Sequence, residues 1–340
     1  MNAVLIIDKP AGLTSHDVVN RVRRILQERS VGHLGTLDPM ATGVLPLVVG
    51  NLTRLAQFYA SSEKTYEGTI RFGFATDTYD SAGEPTSPPQ EVTLTLDQVR
   101  ELATQFQGVI EQMPPPFSAK KIKGVPAYKL ARKHAEVSLK LVQVEVKEFE
   151  ILHVENDPTS AEAHVVPDTP VRIAERMDEP IDELRPERSP AGCVATFRAR
   201  VAAGTYLRSV AHDMGQRIGC GAHLESLRRT AVGEFDLADA HTLEELATAA
   251  KADQLEDLFI HPRKLLPQFP SVTANEEMTA RIRAGRPVNL PELSHARLVK
   301  VFASQRELIA IATRVAGTLF HAKIVLAGEP TTQLASDNSN

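Results

Sequence analysis

Alternating apolar residues in three well-separated runs constrain this chain more than anything else in it. Tyr66 to Phe74 alternates, Val142, Val144 and Val146 are spaced by polar residues, and so are Ala195, Phe197, Ala199 and Val201. Each run carries one apolar face that water leaves uncovered, so these segments must meet in a sheet. Helical periodicity lies between them. Val18, Val19, Val22, Ile25 and Leu26 form a stripe behind Thr14 or Ser15 as cap. Thr95 caps a second helix with Val99, Leu102, Ala103 and Phe106 inward, and Thr205 to Ile218 reads as a third, closed by Gly219. Strands interleaved with helices, with hairpin-like pairs among them, predict an α+β fold whose sheet is mixed and mostly antiparallel.

Shorter runs fill in the frame. Ala3 to Ile7 predicts a strand ending in a turn over Asp8-Lys9-Pro10-Ala11-Gly12. Gly32 to Pro39 reads as a glycine-punctuated loop. Val44 to Val49 reads as a buried strand in which Pro46 demands a bulge or an edge. At 340 residues the chain suits two domains, and the texture changes near Pro267 to Ser271. Beyond it, a helix over Asn275 to Ala284 and strands at Leu298 to Phe302, Leu308 to Thr313 and Ala322 to Leu326 predict a small β-rich unit. Glu329 to Asn340 is a polar tail.

Charge matters through its distribution. The net charge is −5, but Glu155 to Arg188 holds ten acids against four arginines, a net of −6, which leaves +1 for the rest. The total therefore does not exclude a nucleic-acid partner. Asp157 to Gly192, rich in Pro, Glu, Asp and Arg, reads as a solvated insertion. With 5% aromatic residues and no Trp, wide aromatic platforms for reading single strands are disfavoured. Cys193 and Cys220 offer no paired-cysteine metal spacing. Without a long apolar run or a signal-peptide pattern at Met1 to Pro10, the expectation is a reduced, cytoplasmic protein with no membrane partner.

Several segments carry chemistry. His33-Leu34-Gly35-Thr36-Leu37-Asp38-Pro39-Met40-Ala41-Thr42-Gly43 sets an aspartate before a proline in a glycine-flanked loop. Such a carboxylate is held extended and can act as nucleophile, general base or metal ligand, or can simply stabilise its own turn. Thr76-Asp77-Thr78-Tyr79-Asp80 suits a side-chain-stabilised turn better than a divalent-metal loop. After the stiff Pro114-Pro115-Pro116, the cations Lys120, Lys121, Lys123, Lys129, Arg132 and Lys133 run without an acid until Glu136. They fit either a phosphate-backbone contact or a solvated helix face. Arg208 stands in the first turn of a helix, where the dipole disfavours a cation; a buried carboxylate partner explains it, and so does a surface position. Cys220 and His223 lack further ligands for zinc.

Taken in order, these segments resemble the bacterial tRNA pseudouridine-55 synthases of the TruB family. The likeness rests on Asp8 to Ser15, the His33 to Gly43 loop, Lys64-Thr65-Tyr66, Thr76-Asp77-Thr78 with Asp80, and Pro115 to Lys121. Gly204-Thr205-Tyr206-Leu207-Arg208 and Gly219 to Leu224 with Leu227-Arg228-Arg229 complete it. The resemblance implies a pseudouridine-synthase fold over residues 1–265, interrupted by the acidic insertion 157–192, and a PUA-like RNA-binding domain over 270–328. It implies isomerisation of uridine 55 in the tRNA T-loop by a monomer acting on the T-arm, without cofactor or metal.

The same resemblance gives the residues their roles. Asp38 is the nucleophile, by attack at C1′, attack at C6 of the base, or a route through a glycal. Arg208 pairs with that carboxylate, and Tyr66 stacks on the uracil and assists at C5. Tyr206 and Leu227 shape the pocket, and His33 fills the place of the flipped base. Lys9 has a structural or RNA-proximal role, while Lys120 and Lys121 belong to the arm that grips the T-arm. Two other classes fit the residues alone, a non-catalytic tRNA-binding factor and a guide-RNA-directed synthase. A metal-dependent phosphodiesterase built on Asp77 and Asp80 is more distant.

Overall fold

The structure is a computed structural model that describes residues 1–115, 121–122, 125–126, 140–156 and 192–326. Lys120, most of the cationic arm and nearly all of the acidic insertion lie outside the described residues.

In chain order, β1 (Ala3–Lys9) leads to helix α1 (Ser15–Leu26), then β2 (Val31–His33) and β3 (Thr42–Val49). A short helix α2 (Ala56–Tyr59) precedes β4 (Lys64–Phe72), α3 (Leu96–Thr104) and β5 (Gly108–Gln112). The two-residue strands β6 (Lys121–Ile122) and β7 (Val125–Pro126) pair with each other, and β8 (Val142–Glu155) and β9 (Val194–Val201) follow. Next come α4 (Leu207–Ile218), β10 (Ala222–Val232), β11 (Phe235–Asp236), β12 (Ala240–His241) and α5 (Leu243–Ala252). The last stretch holds β13 (Ser271–Thr273), α6 (Glu276–Arg283), β14 (Val288–Asn289), β15 (Leu298–Phe302), β16 (Leu308–Ala316) and β17 (Leu319–Val325).

Packing divides the chain into two units. The first is residues 1–65 with 228–340, the second residues 66–227, so the two chain crossings fall inside strands β4 and β10. In the first unit β3 is central. It pairs antiparallel with β1 and β2 and parallel with the end of β10, where Arg228 faces Thr42 and Arg229 faces Gly43. Pro46 sits in this buried strand opposite Ile6 with unbroken register, so there is no bulge, and the expected edge is a local one: on the side away from β1, β10 pairs only Thr42 and Gly43 and β2 only Leu47 to Val49. The reason is local. Within a strand the N–H and C=O of one residue point the same way, and the Pro46 carbonyl accepts from Leu34 N at 2.9 Å, beyond the end of β2. The missing N–H faces that gap, and the ladder to β1 loses nothing.

The sheet of the last stretch, in order β13-β15-β16-β17-β14, belongs to the same unit. Strand β16 feeds two cores: Ile309 and Ala312 pack with Ile282 and Phe320, whereas Leu308 and Ile311 join Val4, Ile6, Val44 and Tyr59. A polar cluster ties this seam. The Tyr59 hydroxyl donates to Glu234 Oε1 at 2.7 Å, and Leu266 N donates to the same oxygen at 2.9 Å. Buried Lys300 donates to the carbonyls of Leu265 and Arg263 at 2.7 and 3.1 Å. The change of texture near Pro267 to Ser271 therefore falls within a shared core.

In the second unit the order is β4-β9-β8-β5, with the first half of β10 on β4. β8 pairs antiparallel with both β5 and β9. Ala195, Phe197, Ala199 and Val201 are all buried, and α3 turns Val99, Leu102 and Ala103 inward, as their spacing predicts. Mostly antiparallel pairing with interspersed helices gives the expected α+β fold. Among the described residues no helix is long and apolar enough to cross a membrane.

Candidate active site

The site residues read from the sequence fall into two groups, one on each unit. In the first unit Asp38 lies in the loop between β2 and β3, and local sequence fixes that loop closely. Thr14 caps α1 through a reciprocal box with Asp17, both bonds at 3.0 Å. Ser15, the first helical residue, is thereby turned inward, and its hydroxyl accepts from Leu37 N at 2.8 Å and reaches Leu37 O at 3.1 Å. Pro39 O accepts from Gly12 N at 2.8 Å and from Lys9 Nζ at 3.2 Å. The Asp38 carbonyl accepts from Ala41 N at 3.1 Å. Arg229 donates to Gly35 O at 3.0 Å, to Thr36 O at 3.2 Å and to Val44 O at 2.8 Å. Every backbone carbonyl from Gly35 to Pro39 is thus held. Gly43 has to be glycine here: its φ is +99°, and a Cβ would meet Arg229 O at 2.2 Å.

The surroundings of Asp38 are cationic. Lys9 is fully buried, and its ammonium donates to the carbonyls of Pro10, Leu13 and Pro39, one acceptor for each proton. Burial lowers its pKa to about 8, against the opposing pull of the Asp38 charge. Lys64 is likewise lowered to about 8, by burial and then by the Arg229 charge, and donates to Ser62 O at 2.6 Å. His33 ends β2; its Nδ1 accepts from Gly35 N at 3.3 Å, and burial followed by Arg229 pushes its pKa down, so the ring is neutral near pH 7.

In the second unit Arg208 opens α4 and is 4% exposed. Asp80 is one partner, with Nη1 to Oδ2 at 3.3 Å, and the same nitrogen donates to Thr78 O at 3.2 Å. The buried carboxylate that explains a cation at a helix start is therefore present, on the Thr76 to Asp80 segment. That segment is the side-chain-stabilised turn expected of it. Thr78 Oγ1 and Ala82 N donate to Asp80 Oδ1 at 2.6 and 3.1 Å, and Glu84 N donates to Asp77 Oδ1 at 2.9 Å. Tyr206 precedes α4 and is held by Gln112, which exchanges bonds of 2.8 and 2.9 Å with its backbone. Ser209 adds a bond to Met113 O at 2.7 Å. Tyr66 and Leu227, both nearly buried, are the two residues of this unit at the chain crossings. Lys121 begins β6, and Lys120 lies outside the described residues.

Sequence reading did not single out Ser15, Gln112 or Arg229, nor Asp80 as the partner of Arg208. A signal existed for Arg229. Successive strand residues face opposite sides, so of two adjacent arginines in β10 one had to enter the interior. Arg228 faces out and grips Asp8 bidentately at 2.7 and 3.1 Å, while Arg229 is fully buried.

Comparison with known proteins decides the lineage. A protein of Solibacter usitatus named tRNA pseudouridine synthase B is 45% identical over 96% of this chain and 100% of its own length. The chain belongs to the TruB family of pseudouridylate synthases. The TruB family N-terminal domain description matches residues 23–171, which includes the Asp38 loop, Tyr66 and Asp80. The description of the tRNA pseudouridylate synthase B C-terminal domain matches residues 208–266, a range that includes Arg208 and Arg229. An Aquifex aeolicus member of the same name is 35% identical over 90% of this chain and 93% of its own. The TruB fold extends further. A chain from the structure of an H/ACA RNP bound to a substrate RNA containing 2′-deoxyuridine superposes with a TM-score of 0.64 at 22% identity, covering 96% of this chain and 86% of that one.

Proposed function

We propose that this chain isomerises uridine 55 in the T-loop of tRNA to pseudouridine, with Asp38 as the nucleophile. Two things support the reading: full-length similarity to proteins named tRNA pseudouridine synthase B, and a loop that fixes Asp38 through all five carbonyls around it. The second carries the chemical part, because a reacting carboxylate must be preorganised.

The reaction breaks N1–C1′, turns the uracil and joins C5 to C1′. C5 gives up a proton and N1 takes one, so the balance closes without oxidant, reductant or cofactor. Asp38 supplies the oxygen that holds the separated half of the nucleotide while the base turns. Arg208, itself fixed by Asp80 and Thr78 O, supplies the positive charge that keeps that carboxylate ionised. Tyr66 stacks on the uracil and assists at C5, Tyr206 and Leu227 form the pocket wall, and neutral His33 occupies the place vacated by the flipped base. Flipping costs on the order of a few kcal/mol, which binding to the T-arm must offset. Lys120 and Lys121 serve that grip. We assign residues 270–328 to a PUA-like RNA-binding domain. Between Ser271 and Leu326 eight lysines and arginines stand against four acids, a surplus suited to phosphate.

Mapping pseudouridine in unmodified tRNA after incubation with purified wild-type and Asp38→Asn protein tests the reading. One new pseudouridine in the T-loop, absent with the variant, is expected. Full activity of Asp38→Asn would remove Asp38 from the chemistry, and tight tRNA binding without product from either protein would leave a binding factor.

A further inference from the structure

We propose that Arg229 is a positioning residue for Asp38, its buried guanidinium setting the loop that aims the carboxylate; the inference rests on the function proposed above. The guanidinium is fully buried, and among the described residues its hydrogen bonds all end on backbone carbonyls. They span the loop from both sides. Gly35 and Thr36 lie before Asp38, and Val44 lies after it, in β3. A charge buried for neutral acceptors alone is an expensive way to hold a turn. Yet a planar fork spreads its five donors over three nitrogens and so reaches carbonyls on both sides of the loop, whereas the three protons of a lysine radiate from a single nitrogen.

Ser15 and Lys9 complete the clamp on Leu37 and Pro39, so the aspartate sits between two anchored peptides. The backbone register makes the arrangement stiff. Arg229 is paired opposite Gly43, whose Cα approaches too closely to admit a side chain. Moving the guanidinium therefore moves the loop rather than the strand beneath it. Its fixed charge also reaches Lys9, Lys64 and His33, all of which it drives toward their neutral forms.

The test is single-turnover kinetics on unmodified tRNA, with full-length enzyme in excess, for wild type, Arg229→Lys and Ser15→Ala. A merely structural role lowers the fraction of active enzyme or weakens tRNA binding, whereas positioning lowers the rate constant of the enzyme that is folded and bound. We expect the rate constant to fall about 100-fold in Arg229→Lys and about tenfold in Ser15→Ala, the scale of loss that follows misplacing a reacting group by an ångström or less. Conversion should still run to the wild-type amplitude, with Kd for tRNA within about threefold of wild type. If Arg229→Lys does not fold, Arg229→Gln, which keeps two amide donors, is measured in its place with the same expectation, and Ser15→Ala, which removes a hydroxyl of α1 that holds Leu37, reports on the other anchor of the same loop. Rate constants near wild type, or losses confined to amplitude or Kd, overturn the proposal. An active wild type with unaffected variants refutes positioning only. An inactive wild type refutes the proposed function, and this inference falls with it.

Discussion

Asp80 shows how much one carboxylate can settle. It is 4% exposed and serves Arg208 with one oxygen while accepting from Thr78 and Ala82 with the other. Asp80→Asn keeps the shape but removes the charge of one buried partner of that guanidinium. Breaking a buried pair from one side costs about 3–5 kcal/mol. We expect a urea midpoint lowered accordingly, and a pseudouridine rate constant lowered with it even where the protein is still folded. An Asp80→Asn protein with the wild-type midpoint would show that the pair is worth little here. From its position in the helix Arg208 was legible as a cation needing an acid, and the family resemblance offered Asp38; that Asp80 also serves it was not foreseen. The pair joins residues 128 positions apart, and no local pattern encodes such a distance.

At the scale of elements, the start of α1 positions the site as much as any strand does. The box between Thr14 and Asp17 begins the helix at Ser15 and so delivers the hydroxyl that holds Leu37. Thr14→Ala should cost about 1 kcal/mol of stability by loss of the cap. Chemical denaturation measures it, and a change below a few tenths would mean that the loop contacts, not the cap, fix where the helix starts. The stripe and cap of this helix were plain in the sequence because both are set within four residues. The short strand β2 was not, since Val31-Gly32-His33 has a glycine at its centre and is a strand only because β3 lies beside it. The same neighbourhood explains how Pro46 sits inside β3: what a proline costs depends on which side its absent N–H faces, and only pairing decides that.

Across the whole molecule, three histidines prepare a response to acid. Burial lowers the pKa of His33, His212 and His223 below the ordinary 6.5, with the Arg229 charge adding to the effect at His33. An unfolded chain binds protons at these rings from about pH 6.5 downward, while the folded chain resists until lower pH. The stability that these groups contribute is therefore complete above pH 6.5 and is lost as pH falls through the folded values. Melting temperature should drop between pH 7 and 5.5, and His223→Gln, which can still donate to Phe74 O, should lose less over that interval than wild type. Equal losses in the two proteins would discount the histidine as a cause.

What the sequence determined by itself is what short-range physics controls. Alternation marked β4, β8 and β9, a 3.6-residue stripe marked α1 and α3, and Asp-Pro in a glycine-flanked loop marked the reactive candidate. Each of those signals is complete within a few residues, because strand pleat, helix pitch and turn geometry are local. What the tertiary structure alone decided is which distant groups meet. Arg229 and Lys9 converge on one loop from strands far apart in sequence, Gln112 fixes the backbone of Tyr206, and the last sheet shares a core with β1 and β3. Those meetings depend on strand order and register, and hydrogen bonds to backbone carbonyls make no demand on the identity of the residue that accepts them. The sequence therefore shows the donor and is silent on its target.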